Sequence, residues 1–182
     1  MRKEITMVKI ISDSTCDLSP ELIARYDIDV IPLHIILGEQ DYLDGQGITP
    51  DDIYRWSDEN RQSPKTAAIS MEDALAALKP YEGREIIVFT ISGSMSSTYN
   101  VLRMAAEQTD AERIHVIDSK NLSTGVGLQV ISAAEMAAQG KPAAEIVETI
   151  KADRSLVRAS FVVDTLTYLH RGGRCSSVAA LM

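Results

Sequence analysis

An α/β fold, with a mainly parallel sheet and helices on both faces, is the class this sequence predicts, and two observations carry the prediction. Short apolar runs of strand length alternate with longer segments of helical periodicity, the order that lays strands side by side through helical crossovers. The strand-length runs are continuously apolar, as in Ile86–Phe89, which suits strands buried on both faces.

The elements follow in order. Val8–Ser12 predicts a first strand, closed by the polar cluster Asp13, Ser14, Thr15, Cys16 and Asp17. Ser19 predicts an N-cap with Pro20 at the first helical position, where its missing N–H costs nothing, and the helix runs to about Tyr26. The β-branched stretch Ile28–Leu37, closed by Gly38, predicts a single second strand. Glu39–Gly47 reads as a polar loop, and Thr49, Pro50 and Asp52 repeat the capping logic for a helix carrying Ile53, Tyr54 and Trp56. A second loop is predicted over Asn60–Ser70. Then come a helix at Met71–Leu78, a strand at Glu85–Ile91, a helix at Met95–Gln108 and a strand at Arg113–Ile117. Ser123–Ala138 and Pro142–Asp153 predict two helices broken at Gly140, and Phe161–Asp164 predicts a further strand.

A chain of 182 residues, 45% hydrophobic and 24% charged, holds one large domain or one domain plus a fragment of another. The net charge of −8 argues against a general nucleic-acid binder, because neutralising phosphates needs clustered Lys and Arg. No apolar run approaches the about 20 residues of a membrane span. The polar start, Met1–Thr6, lacks the apolar core of a signal peptide, so the expected location is the cytosol. In that setting Cys16 and Cys175, lying in separate motifs without metal-type spacing, are expected to be reduced packing residues.

In an open α/β sheet, ligands gather at the carboxyl ends of parallel strands, beside helix N-termini. Four polar clusters fall at or near such positions: Ser12–Asp17, Ser63–Ser70, Ser92–Thr98 and Asp118–Lys120. The serine-rich turn is the most informative, since Gly93 permits close approach and the following helix offers unpaired donors to an anion. The purely structural reading, in which Ser92, Ser94 and Ser96 compete to cap that helix, explains the composition equally well. A nucleophile constellation is absent, because the residue two beyond Ser94 is Ser96 where a nucleophile elbow needs glycine. No metal or other cofactor is expected, as no His pair or Cys cluster has ligand spacing. His34 and His115 read as structural residues within strands, and His170 as a cation at a helix end beside Arg171. Asp13, Asp17 and Asp118 admit an acid/base or magnesium site, but holding loops through Asx turns, N-capping and pairing is the preferred reading.

The segments Val8–Leu18, Ile31–Leu33, Pro64–Thr66, Ile91–Asn100, Asp118–Lys120 and Val163–Leu166, with Leu169 and Gly172–Arg174, together resemble the DegV family. Its members resemble the fatty-acid-binding subunits of bacterial fatty acid kinase. The resemblance implies a non-catalytic protein of two domains that buries a long-chain fatty acid between them, holds its carboxylate by hydroxyls and presents it to a separate ATP-dependent kinase. It implies carboxylate contacts from Thr66, Ser92 and Ser94, with Ser14, Thr15, Ser96 and Ser119 in the surrounding loops. The chain departs from the family pattern in two places. The Thr-Ser-Gln-Pro-Ser motif reads Thr66-Ala67-Ala68-Ile69-Ser70, and Gly93 stands where many members carry a second serine, which moves that role to Ser94. Family members also run well beyond Met182, so the expected organisation is a DegV-like α/β domain over residues 7–155 and the start of a second, mostly absent domain over 156–182. Two other functions remain open on the residues alone: a small-molecule phosphotransfer enzyme, and an interaction fragment docking through its apolar end.

Overall fold

The computed structural model describes residues 7–172. In chain order the elements are β1 (Lys9–Asp13), α1 (Pro20–Arg25), β2 (Asp29–Ile31), β3 (His34–Leu37), β4 (Gln40–Leu43), α2 (Pro50–Asn60) and β5 (Lys65–Ala67), then α3 (Met71–Leu78), β6 (Ile86–Thr90), α4 (Thr98–Thr109), β7 (Ile114–Asp118), α5 (Thr124–Ala138), α6 (Ala143–Asp153) and α7 (Thr167–Arg171). They sort into two compact units: residues 7–33 with Ala68–Ala159, and His34–Ala67 with residues 160–172. Residues 34–67, placed by the sequence reading within the first domain, thus belong to the second unit. Among the described residues no helix is long and apolar enough to cross a membrane.

The first unit is the predicted parallel sheet, in the order β2-β1-β6-β7 with every pair parallel. Strand alternation sends Ile10, Ile87, Phe89 and Ile117 to one face, where they pack with Val126, Val130, Ala133, Ile146 and Ile150 of α5 and α6. Ile11, Ile86, Val88 and Ile114 go to the other face, against Ala74 and Leu78 of α3 and Leu102, Ala105 and Ala106 of α4. Each fully buried Ile, Leu or Phe contributes about 1.5–3 kcal/mol, so this double face is the main stabilising term of the unit. At the amino end of the sheet, Lys9 is buried but not alone. Its ammonium donates to the Asp27 carbonyl (2.7 Å) and lies 3.0 Å from the Asp27 carboxylate and 2.9 Å from that of Asp29.

The second unit holds a three-stranded antiparallel sheet, β4-β3-β5, with α2 and α7. α2 is opened by a full capping box between Thr49 and Asp52, as the sequence predicts. α7 docks on α2 through Arg171, which donates to Ser57 O (3.2 Å) and Asp58 Oδ1 (2.9 Å), and through Tyr168, whose hydroxyl donates to Asp58 Oδ2 (3.1 Å). The Arg171 bond, then that of Tyr168, holds the Asp58 carboxyl below the usual carboxylate range.

Several local expectations are corrected. Ile28–Leu37 is two strands in different sheets, because Pro32 has no N–H for a ladder and the Leu33 N–H is taken by Ser14 Oγ at 3.2 Å. The polar stretch after Gly38 is a strand, β4, whose exposed, charged composition hid its pairing with β3. Lys65–Ala67 is β5, too short and exposed to register as periodic. No strand forms at Phe161–Asp164; Phe161 is 68% and Val162 98% exposed, and an apolar run makes a strand only where an edge receives it. α4 begins at Thr98, not Met95, since the Met95 and Ser96 N–H groups both close a turn on Ser92 O.

Close approach of α5 to the turn after β1 depends on Gly127, where a Cβ would stand 2.6 Å from the Cys16 carbonyl oxygen. Gly127→Ala is therefore expected to lower stability by about 1–3 kcal/mol through overpacking against backbone. A urea midpoint unchanged from the parent would contradict this account of the α5 contact.

Candidate functional site

The sheet order places a topological switch point between β1 and β6: from β1 the chain turns to β2 on one side and later returns to β6 on the other. At such a point the loops leaving the carboxyl ends diverge and open a crevice. Here the two loops are Ser14–Asp17 and residues 91–97.

Asp13, the last residue of β1, is fully buried. Its Oδ1 accepts from the Thr15 N–H (3.1 Å) and the Thr15 hydroxyl (2.5 Å), and its Oδ2 from the Ile91 N–H (2.8 Å). On the opposite flank of β6, Asp118 at the end of β7 accepts from the N–H groups of Gly93 (3.0 Å) and Lys120 (2.9 Å). The two carboxylates thus grip the entry to the serine turn from neighbouring strands. Gly93 lies so close to Asp118 that a Cβ there would be 3.2 Å from Oδ2. Asp17 caps the turn after β1 in the left-handed region and is exposed. The sequence reading paired Asp118 with Lys120 or an arginine side chain; its carboxylate instead takes backbone donors, while Arg154 donates to its main-chain oxygen at 3.0 Å.

Within the turn, Ser92 is 6% exposed and Ser94 is exposed. Their hydroxyls lie 2.9 Å apart, and Ser92 Oγ also accepts the Ser94 N–H at 3.3 Å. The capping work falls one step later: Ser96 Oγ accepts the Thr98 N–H at 3.2 Å, while Ser97, the N-cap residue of α4, makes no side-chain cap. Neither Ser92 nor Ser94 therefore caps α4; Ser92 Oγ closes its own turn on the Ser94 N–H.

The surrounding hydroxyls are more committed. Ser14 Oγ receives the Leu33 N–H, Thr15 bonds Asp13, and buried Ser119 closes its own turn by donating to Asn121 O (3.3 Å) and accepting the Asn121 N–H (3.1 Å). Thr66 is exposed on β5 in the second unit. Two residues were missed by sequence reasoning. Asn121 receives the Ser92 N–H on its carbonyl at 2.9 Å, and Arg154 reaches Asp118 from beyond α6; their partners lie 29 and 36 residues away in sequence, so no local pattern marks them.

Cys16 is buried in the core and unpaired, and burial pushes its thiol pKa up, away from the reactive thiolate. His34 Nδ1 lies 3.0 Å from Asp41 Oδ1 of the neighbouring strand β4, and His115 Nε2 lies 3.3 Å from Glu85 Oε2. His170 lies in the last turn of α7, as expected. Arg174, Cys175 and the apolar end Val178–Met182 lie outside the described residues.

The model of the family described as "Uncharacterised protein, DegV family" matches residues 7–182. A DegV domain-containing protein of Clostridium perfringens is 38% identical over 176 residues, 96% of this chain and 63% of the relative. Among solved structures, one described as fatty acid binding of a DegV family protein from Thermus thermophilus matches with a TM-score of 0.83 at 30% identity, over 97% of this chain and 64% of that chain. The Streptococcus pneumoniae Fatty Acid Kinase B3 protein loaded with linoleic acid matches with a TM-score of 0.77 at 27% identity, again over 97% of this chain and 64% of the other. This chain thus spans a little under two thirds of the length of the proteins it matches.

Two outcomes are expected from the loop geometry. Asp13→Asn should cost about 1–3 kcal/mol in urea unfolding, because an amide cannot accept from donors on both of its sides, whereas exposed Asp17→Asn should change stability by less than about 0.5 kcal/mol. Equal effects would contradict the grip assigned to Asp13. Peptide-mapped alkylation should leave Cys16 unlabelled in native buffer and label it fully in denaturant; rapid native labelling would contradict its burial.

Proposed function

This chain belongs to the DegV family, and from that premise we propose that it binds a long-chain fatty acid through the carboxylate and presents it to a separate ATP-dependent kinase. The observation that carries the reading is the Ser92–Ser94 pair: two hydroxyls bonded to each other, at the carboxyl end of a parallel strand and before a helix whose N-cap side chain is uncommitted. An arriving carboxylate accepts a hydrogen bond from each hydroxyl in place of the mutual bond. Charge-assisted bonds of this kind are worth about 1.5–3 kcal/mol each, and the N-terminal end of α4 adds about 0.3–1 kcal/mol. Ser14, Thr15, Ser96 and Ser119 shape the surrounding loops, and Thr66 is a further head-group contact by its place in the family motif.

The head group sets orientation rather than affinity. Each buried methylene contributes about 0.8 kcal/mol, so ten contribute about 8 kcal/mol, more than any plausible set of hydroxyl contacts. The protein therefore acts as a non-catalytic carrier: the acyl chain is shielded, and a carboxylate oxygen is offered to attack the γ-phosphorus of ATP on the partner enzyme, releasing ADP. The fatty-acid-bound neighbours support the ligand class, and the fatty acid kinase B3 protein supports the partner. Against the phosphotransfer alternative, both Asp13 oxygens and Asp118 Oδ1 already accept backbone N–H groups.

Lipid extraction and mass spectrometry of the purified chain should recover fatty acid. In titration with oleic acid, Ser92→Ala, Ser94→Ala and Thr66→Ala should each weaken binding by about 1–3 kcal/mol, while His170→Ala and Arg174→Ala should weaken it less than Thr66→Ala does. Unchanged affinity in both Ser92→Ala and Ser94→Ala would reject the assigned seat.

A further inference from the structure

We propose that Asn121 and Arg154 are positioning residues that tie the segment following α6 to the serine turn, so that residues 154–157 and the Ser92–Ser94 seat move together. The proposal deepens the lipid-binding reading and rests on it only for the identity of the ligand.

Asn121 is the shared node. Its carbonyl accepts the Ser92 N–H at 2.9 Å, and its side-chain Nδ2 donates to the Val157 carbonyl at 2.9 Å. One residue thus holds the buried serine of the seat with its main chain and the outgoing segment with its side chain. A second strut runs parallel to it: the Arg154 guanidinium donates to the Asp118 carbonyl at 3.0 Å, and the Asp118 carboxylate receives the Gly93 N–H at 3.0 Å.

The segment has little else to hold it across to this loop. Leu156 is 78% exposed, and the Leu156 and Val157 N–H groups bond only backward, to Asp153 and Arg154. The loop itself is strained on either side of Asn121. Lys120 has φ 52°, and Ser123 combines φ 51° with ψ −133°, a region that L-residues rarely occupy. Such a backbone persists only where side chains over-determine it. Asn121 does so, with Oδ1 accepting the Leu122 N–H and packed against Gly125, where a Cβ would fall 2.1 Å from Oδ1.

The coupling runs in either direction, because binding linkage is reciprocal. A head group that orders Ser92 and Gly93 also orders Asn121 and Asp118, and through them residues 154–157. A displacement of 154–157 loosens the seat. The segment that leads onward from the parallel-sheet unit is thereby informed whether the carboxylate is in place.

The test is hydrogen–deuterium exchange on the full 182-residue chain, without lipid and with oleic acid. Asn121→Asp is the first variant, since it keeps Oδ1 and the loop's shape while replacing the donor to Val157 by an oxygen. Arg154→Ala is the second, and Arg154→Lys the conservative rescue. Without lipid, Asn121→Asp and Arg154→Ala should speed exchange about five- to ten-fold in 91–97 as well as in 154–157, with β1 and β7 unchanged, and Arg154→Lys should restore part of the protection. With oleic acid, the parent should gain protection at 154–157 and the two variants should not. Exchange that quickens only at 154–157, leaving 91–97 as in the parent, would overturn the coupling, as would uniform quickening across the unit. If 91–97 and 154–157 loosen together but oleic acid protects neither in the parent, the coupling stands and the lipid reading falls.

Discussion

Two carboxylates on the flanks of the central strand are the constraint from which the site follows. β6 ends in a turn whose N–H groups cannot be satisfied by the sheet, because the ladder has stopped and the helix has not begun. Asp13 from β1 takes the Ile91 N–H and Asp118 from β7 takes that of Gly93. An unpaired buried donor costs about 1–3 kcal/mol, so these bonds decide whether the turn has one conformation or many. Both aspartates thus hold backbone in place, and the hydroxyls of the turn lie on the loop they position.

That arrangement depends on the sheet order. β1 and β7 flank β6, so residues about a hundred positions apart, 13 and 118, reach the same turn. The faces of the sheet supply the rigidity: Phe89, Ile87 and Ile117 against α5 and α6, Ile86 and Val88 against α3 and α4. Packed on either side, β6 cannot shift to relieve a poorly satisfied turn. Small residues on α5 extend the same logic, since Gly127 lets the helix approach the Cys16 carbonyl and steadies the loop after β1.

Ser92 and Ser94 illustrate how serines before a helix can escape capping it. Serines before a helix ordinarily spend their oxygens on its first N–H groups. Here Ser96 performs that task for Thr98, and the pair two and four residues earlier bond to one another. A hydroxyl pair of this kind has donors to give to an anion without first breaking a helix cap.

The sequence by itself determined the parallel α/β architecture, the caps at Ser19 and Thr49, and the turns that carry the hydroxyls, because hydrophobic periodicity and capping are local properties. It also marked residues 92–98 as the informative loop. It missed β4 and β5, whose exposed polar residues carry no period, and it joined β2 to β3 across Pro32 because a β-branched run looks the same in one sheet or two. Nor could it separate Ser92 and Ser94 from capping serines, or name Asn121 and Arg154. Those distinctions rest on which donor meets which acceptor between strands β1, β6 and β7 and the segment after α6, and only the tertiary structure brings such distant groups within hydrogen-bonding distance.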